Sequence, residues 1–168
     1  PLPITGIDSV ESAVYRGKIY WFWGDTSVTR NPLGNFRTTG ATSELPGKGG
    51  LDPDVGVCLS FFGDDGNVRP MFDDKHKPIW VSGPRVARDE KGGEHLFIAY
   101  SKIGGGMSNE ERGLAEFDDD AGRLRIVMPF PKNTLLTPTG SILPHTDKGV
   151  DYFYYADRWP FVRSKTTV

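Results

Sequence analysis

The sequence GKIYWFWGDT, at residues 17–26, decides the fold. Five consecutive large apolar residues, 19–23, lie in it between two glycines. The run is too short for a buried helix and is rich in aromatic and β-branched side chains, which is typical of a β-strand. Because polar residues do not alternate with apolar ones, we expect both faces of this strand to be covered by protein. Such a strand belongs in a sheet that lies between other sheets.

The same pattern occurs twice more, at residues 93–101 (GEHLFIAYS) and 149–157 (GVDYFYYAD). Each copy has a glycine, one or two polar residues, an aromatic-rich core and a polar end. A strand-like segment precedes each copy, at residues 11–16, 82–88 and 140–145. We call the strand before each glycine the leading strand and the one after it the aromatic strand. A recurring strand–turn–strand unit indicates a repeat architecture.

The composition favours short strands joined by many turns. Twenty-one glycines and 13 prolines make up about a fifth of the 168 residues, against roughly 12% in an average protein. The 20 Lys and Arg residues nearly balance the 22 Asp and Glu residues, so no nucleic-acid partner is expected. No apolar run approaches about 18 residues, so no membrane span is expected. The sequence therefore predicts an all-β chain.

Other strands follow from apolar and Thr-rich runs between turn signals. They are predicted at residues 36–45, 55–62, 68–72, 114–117 and 124–128, with one helical turn at residues 108–111. The second sheet is predicted to begin near residues 79–81, to pass a turn at residues 89–93 and to continue to residue 100. Cys58 is the single cysteine and lies in an apolar run, which predicts a buried structural thiol.

These strands divide the chain into segments of the size of propeller blades, which have roughly 40–50 residues. The predicted blades cover residues 7–73 and 79–131, with an incomplete third blade at residues 138–168. We therefore predict a partial β-propeller of two to three four-stranded antiparallel blades, in a single domain over residues 1–168. Closed propellers need at least about four blades, so a second chain or a longer parent would supply the remainder. The chain begins with Pro1 rather than Met, so we expect a removed leader or precursor and an extracellular or periplasmic location.

The order of leading strand, turn glycine, aromatic strand and polar end resembles the five-bladed β-propellers of glycoside hydrolases, of the arabinanase, xylosidase and levansucrase kind. Residues 20–26, YWFWGDT, are similar to the WGDT signature of uncharacterised bacterial propeller proteins related to them. The resemblance spans nearly the whole chain as a pattern. It implies an oligosaccharide or polysaccharide ligand, bound where the innermost strands of successive blades meet at a central channel.

The resemblance also implies places for catalytic acids. The family has an acidic residue at the head of the first blade's leading strand, where this chain offers Asp8 or Glu11. The second and third blades have no carboxylate at the matching residues, 82–85 and 139–141. Glycosidic cleavage needs two carboxyl groups about 5–10 Å apart. The second carboxyl would be Asp25 or would come from sequence not present here.

Each of these acids also has a structural interpretation. Asp8 suits a turn cap, and Asp25 suits the end of a strand. Glu11 could pair with a nearby arginine.

Four further residues are candidates for binding the sugar. Arg85 follows Gly83–Pro84 on a leading strand, from which its fork of donors could bind the carboxylate of a uronic acid. A salt bridge to Glu11 or Asp25 is the alternative for Arg85. Trp80 and Trp159 lie near predicted loops and could stack on sugar faces. His145 lies on the third leading strand, near the channel.

No metal or cofactor is predicted. His76, His95 and His145 are too scattered for a metal motif, and the acidic run 118–120 lacks the spacing of a calcium loop. No phosphate-cradling glycine loop or serine nucleophile motif occurs. The leading hypothesis is a carbohydrate-active protein that binds or hydrolyses a glycan. The alternative is a non-catalytic glycan-binding or scaffold module that has lost the catalytic acids.

Overall fold

The computed structural model describes residues 4–29, 37–52, 54, 56–64, 67–73, 78–134, 137–155 and 161–167. This part of the chain consists of β-strands and two single turns of 3-10 helix, with no α-helix among the described residues. The predicted all-β class is confirmed. Neither of the described helical turns has the length or apolar character needed to span a membrane.

The first half of the chain carries strands that are mostly short. They are β1 (Ile4–Ile7), β2 (Glu11–Tyr15), β3 (Lys18–Trp23), β4 (Thr26–Val28), β5 (Thr39–Ser43), β6 (Leu51–Asp52), β7 (Gly56–Val57), β8 (Ser60–Phe61), β9 (Gly63–Asp64) and β10 (Asn67–Val68). One turn of 3-10 helix, Pro46–Lys48, lies between β5 and β6.

The second half carries longer strands. They are β11 (Ile79–Arg88), β12 (Glu94–Ile103), β13 (Asn109–Asp118), β14 (Arg123–Pro129), β15 (Ile142–Asp147), β16 (Val150–Tyr155) and β17 (Val162–Lys165). The second 3-10 turn is Gly105–Met107, where Gly106 has a positive φ of 65°. The helical turn predicted at residues 108–111 is wrong, because the chain is already extended there and β13 begins at Asn109.

Three antiparallel sheets contain most of these strands. The first sheet has the order β2-β3-β5-β8, the second β11-β12-β13-β14 and the third β15-β16-β17. The predicted four-stranded antiparallel sheets are confirmed by the first two, and the arrangement is consistent with part of a propeller. The three pairs of leading and aromatic strands lie in three different sheets, as β2–β3, β11–β12 and β15–β16.

Two of these hairpins have the same turn. Arg16–Gly17 joins β2 to β3 and Lys148–Gly149 joins β15 to β16, and all four residues have positive φ angles between 47° and 77°. A two-residue turn with both φ angles positive matches the twist of the flanking strands. The repeated glycine of the sequence pattern is thus the second residue of this turn in both hairpins.

The leading strands lie side by side. Each is the edge strand of its sheet, and β11 contacts both β2 and β15. The apolar core lies mainly between the first and second sheets, where the Tyr20 ring lies 5.1 Å from the rings of Tyr15 and Phe117. Its buried members are Tyr15, Phe22, Met71, Phe72, Ile79, Leu96, Ile98, Tyr100, Ala115, Phe117 and Leu124.

The aromatic run that opens the sequence pattern is covered on both faces. None of residues 19–23 is exposed. Phe22 belongs to the core between the sheets, whereas Trp23 is stacked on Phe61 of β8. The absence of polar alternation therefore indicates the burial of this strand correctly.

The predicted burial of Cys58 is wrong, since Cys58 is exposed. The apolar run 55–62 forms two short strands instead of one. Of these, β7 pairs with β6 in a separate two-stranded sheet, and β8 alone joins the first sheet. An apolar run predicts burial only where its strand joins a sheet that another layer covers, and Val57 beside Cys58 is also exposed.

Candidate functional site

A β-bulge interrupts the leading strand of the second sheet. The pairing of β11 with β12 shifts between Ser82 and Arg85, around Gly83–Pro84. Gly83 has a φ of 55°, a left-handed conformation that glycine adopts without the strain of a side chain. A bulge leaves one residue unpaired and redirects the side chains that follow. The bulge therefore decides where Arg85 points.

The three sheets meet at this bulge. The Gly83 N–H donates a hydrogen bond to Glu11 Oε2 at the head of β2, at 3.2 Å. On its other side Gly83 packs so closely against Gly140 that an added Cβ would overlap the Gly140 carbonyl oxygen. The Gly140 N–H in turn donates to Ser82 Oγ at 3.4 Å. We call the surroundings of Gly83 the bulge site.

Glu11 contributes the carboxyl group of the bulge site. It is the first residue of β2 and is half-buried. Burial raises its pKa, because the charged form loses solvation, and the hydrogen bond from the Gly83 N–H opposes this only in part. The carboxyl group therefore stays protonated to a higher pH than that of an exposed glutamate.

Arg85 contributes a buried cation. Its Nη1 donates to the Gly83 carbonyl oxygen at 3.2 Å, and its guanidinium carbon lies 5.3 Å from the centre of the Tyr155 ring on β16. Burial lowers the pKa of Arg85. Among the described residues it forms no ion pair with Glu11 or Asp25, so the salt bridges considered from the sequence are absent there.

Asp25, Asp8 and Trp80 form a second group beside β11. The Trp80 indole N–H donates to Asp25 Oδ1 at 2.9 Å. The Asp8 N–H donates to the Asp25 carbonyl oxygen at 3.1 Å, and the Gly24 N–H donates to the Asp8 carbonyl oxygen at 3.0 Å. Asp8 is exposed and Trp80 is half-buried. The Asp25 carboxylate thus anchors the edge of an indole ring whose own strand carries the bulge.

His145 lies in a different place. It is exposed on β15, and its ring lies 6.0 Å from the Tyr154 ring. It lines a groove of about 560 Å³ together with Arg88 of β11, Tyr152 of β16 and Thr166. The groove does not include Glu11, Asp25 or Arg85. Trp159 falls outside the described residues.

Two residues of the bulge site were missed from the sequence. The sequence identifies Tyr155 only as part of an aromatic strand, because nothing local indicates that it faces Arg85. Gly83 carried a usable signal, since Gly–Pro inside a strand pattern indicates a bulge.

Comparison with protein-family models, with curated proteins and with solved structures finds no match for this chain. In the described part of the chain no three His, Cys, Asp or Glu side chains are grouped to hold a metal ion. The bulge site offers a carboxyl group with a raised pKa, a buried guanidinium group and the ring of Tyr155. The Trp80 ring lies on the same strand as the bulge.

Proposed function

We propose that this chain is a carbohydrate-active protein that binds a glycan at the bulge site. The observation that carries the proposal is the arrangement of opposite charges around one residue. Glu11 accepts a hydrogen bond from the N–H of Gly83 and Arg85 donates one to its carbonyl oxygen, and among the described residues no ion pair neutralises either side chain. Charged groups left unpaired where three strands converge are suited to bind a polar ligand rather than to stabilise the fold.

The aromatic residues support a sugar as that ligand. Sugar-binding sites combine the face of an aromatic ring with a few planar hydrogen-bonding groups. Trp80 is half-buried and held at its indole nitrogen by Asp25, so its orientation is defined before a ligand arrives. The same strand, β11, carries Arg85, and the neighbouring strand β2 carries Glu11.

Hydrolysis of that glycan is the second candidate function, and the raised pKa of Glu11 favours it. A protonated carboxyl group can donate a proton to the leaving oxygen of a glycosidic bond. Asp25 or Asp8 would be the second carboxyl group within this chain. The hydrogen bond from the Trp80 indole to Asp25 gives Asp25 a structural role. It therefore favours the alternative that the protein binds a glycan without cleaving it.

The proposal includes two statements about context. The remaining blades of the propeller would come from a second chain or a longer parent, and the protein would act outside the cell or in the periplasm. The native mass tests the first statement, since a species much heavier than the 168-residue chain is expected. A stable monomer of this chain that binds glycans by itself would contradict it.

The function is tested with a glycan array followed by turnover assays on a panel of aryl glycosides. We expect wild-type protein to bind, and Trp80→Phe, which loses the bond to Asp25, to bind at least about threefold more weakly. If His145→Ala weakens binding and Trp80→Phe does not, the groove beside β15 is the site and the present assignment is wrong.

The same assays separate binding from hydrolysis through Glu11→Gln, which keeps the shape of the side chain and removes the proton donor. If the protein is a hydrolase, we expect this variant to lose about 10²-fold or more in turnover while glycan binding changes little. Glu90→Gln, at an exposed position in the turn between β11 and β12, is the matched control. Unchanged turnover in Glu11→Gln would remove Glu11 from the mechanism.

A further inference from the structure

Arg85 is a buried cation for which the fold supplies little compensation. Only 7% of its surface is exposed, although arginine is among the residues least often found inside proteins. A guanidinium group does not lose its proton under ordinary conditions. Moving its charge out of water is therefore costly unless a counter-charge accompanies it.

The contacts of Arg85 are neutral. A guanidinium group has five N–H donors, and the hydrogen bond that the structure gives it joins Nη1 to the carbonyl oxygen of Gly83. The Tyr155 ring lies against the guanidinium group at 5.3 Å, which offers the negative face of an aromatic system and no net charge. Among the described residues no carboxylate lies within ion-pair distance of Arg85.

Glu11 binds the same residue as Arg85 but forms no ion pair with it. Its Oε2 atom accepts from the Gly83 N–H, so Glu11 and Arg85 bind the same residue at separate groups. Burial also raises the pKa of Glu11, which makes its carboxyl group a poorer source of negative charge. The bulge therefore holds the Glu11 carboxyl group and the Arg85 guanidinium group at separate backbone groups of Gly83.

We propose that Arg85 binds the carboxylate of an acidic sugar, so that the ligand of the bulge site is a glycan that contains uronic acid. The inference rests on the proposed glycan site and specifies the charge of its ligand. A carboxylate is planar and accepts two parallel N–H bonds from a guanidinium fork. Contact with the Tyr155 ring restricts the orientation of that fork, which reduces the entropy that binding would cost.

The test compares oligosaccharides that carry a carboxylate with counterparts in which a hydroxymethyl group replaces it. Oligogalacturonides and their carboxyl-reduced counterparts, and the same pair made from oligoglucuronides, are titrated into the whole protein by calorimetry. We expect at least one acidic oligosaccharide to bind at least about tenfold more tightly than its reduced form. This wild-type comparison needs no variant, so it remains decisive even if a substitution at Arg85 prevents folding.

The variant Arg85→Lys keeps the positive charge but loses the two parallel N–H donors of the guanidinium group. We expect it to lose most of the tenfold preference for the acidic oligosaccharide over its reduced form. Arg163→Lys is the matched control, because Arg163 also lies over tyrosine rings, 4.3 Å from the centre of Tyr152, but belongs to β17. The Arg163→Lys variant is expected to keep the wild-type preference for the acidic oligosaccharide. Equal loss in both variants would contradict a specific role for Arg85.

The possible failures are distinguishable. If neutral and acidic oligosaccharides bind equally, the inference about Arg85 is wrong and the proposed glycan site stands. If none of the oligosaccharides binds and the glycan array is also empty, the inference about Arg85 and the proposed glycan site are both wrong.

Asp157, two positions after Tyr155 in the sequence, lies outside the described residues. If Asp157→Asn lowers the melting temperature as much as Arg85→Lys and uronides do not bind, an internal carboxylate neutralises Arg85 and the inference is overturned.

Discussion

At the scale of single residues, His95 shows how a partly exposed histidine joins three segments. Its Nδ1 lies 2.8 Å from Glu116 Oε1 on β13, and its Nε2 lies 3.5 Å from Asp89 Oδ2. The other oxygen of Asp89 accepts from the N–H groups of Lys91 and Gly93 and so holds the turn before β12. The bond to Glu116 raises the pKa of His95, and burial opposes the rise.

This shift predicts a dependence of stability on pH. Because the folded pKa of His95 lies above the unfolded value of about 6.5, its contribution is complete below that value and disappears as pH rises through the folded pKa. We expect His95→Gln to lower the unfolding free energy by up to about 1 kcal/mol at pH 5.5 and by less at pH 8.5. Urea unfolding at both pH values measures this, and an equal effect at both would contradict it.

The pKa of Asp89 is lowered, chiefly by the hydrogen bond from the Gly93 N–H. Its contribution is lost only as pH falls below the ordinary aspartate range, so its own titration does not interfere in the window from pH 5.5 to 8.5. Because Asp89 is also a partner of His95, Asp89→Asn is expected to lower the unfolding free energy more at pH 5.5, where His95 is protonated, than at pH 8.5.

At the scale of elements, the bulge in β11 determines how the sheets meet. Gly83 has both a positive φ and no room for a side chain, since the carbonyl oxygen of Gly140 and the Ile142 side chain face it. Backbone must move to accept a Cβ there, because the nearest atom belongs to the main chain and not to a flexible side chain. The contact between the second and third sheets therefore requires glycine at this position.

Replacing Gly83 with alanine is expected to lower the unfolding free energy by more than about 2 kcal/mol, since backbone strain of roughly 1–2 kcal/mol adds to the overlap with Gly140. Gly92→Ala is the matched control. Gly92 has a φ of 82° and open space where its Cβ would lie, so only the strain applies. Urea unfolding of both variants provides the comparison. Equal losses would show that the packing of Gly83 on Gly140 is not tight in solution.

At the scale of the whole molecule, the first and second sheets form one packed unit. The Tyr15 hydroxyl, on β2, donates to Asp119 Oδ2 at 2.7 Å, and Arg16 forms an ion pair with the same carboxylate at 3.0 Å. The Phe117 ring of the second sheet packs against the first, with its centre 5.1 Å from the centre of the Tyr20 ring. Its centre also lies 5.4 Å from that of the Phe62 ring. Most of the buried apolar side chains of the described residues lie at this interface.

The interface predicts a large loss of stability in Phe117→Ala. Removing a buried phenylalanine costs about 3–5 kcal/mol, a large part of the 5–15 kcal/mol that typically stabilises a domain. The same substitution at Phe161, which is 62% exposed, is expected to change the unfolding free energy by no more than about 0.5 kcal/mol. Chemical unfolding measures both. Similar losses at the two positions would mean that the two sheets do not pack as described.

Much of the fold follows from local patterns in the sequence. The apolar run 19–23 predicts a covered strand, and the paired glycines Gly17 and Gly149 predict tight hairpins, because their backbone angles and side-chain types act locally. The acidic turn at residues 118–122 separates β13 from β14 for the same reason. The exposure of Cys58 was not predictable in this way, since it depends on which sheet the neighbouring strands join.

The sequence by itself determined the aromatic strands, the tight turns at Gly17 and Gly149 and the all-β class, because hydrophobic patterns and turn chemistry act over a few neighbouring residues. Only the tertiary structure decided that Glu11, Arg85 and Tyr155 meet around Gly83, and that His145 lies in a groove elsewhere. These residues lie up to 144 positions apart in the sequence. Their proximity results from the packing of three edge strands, which local preferences do not specify.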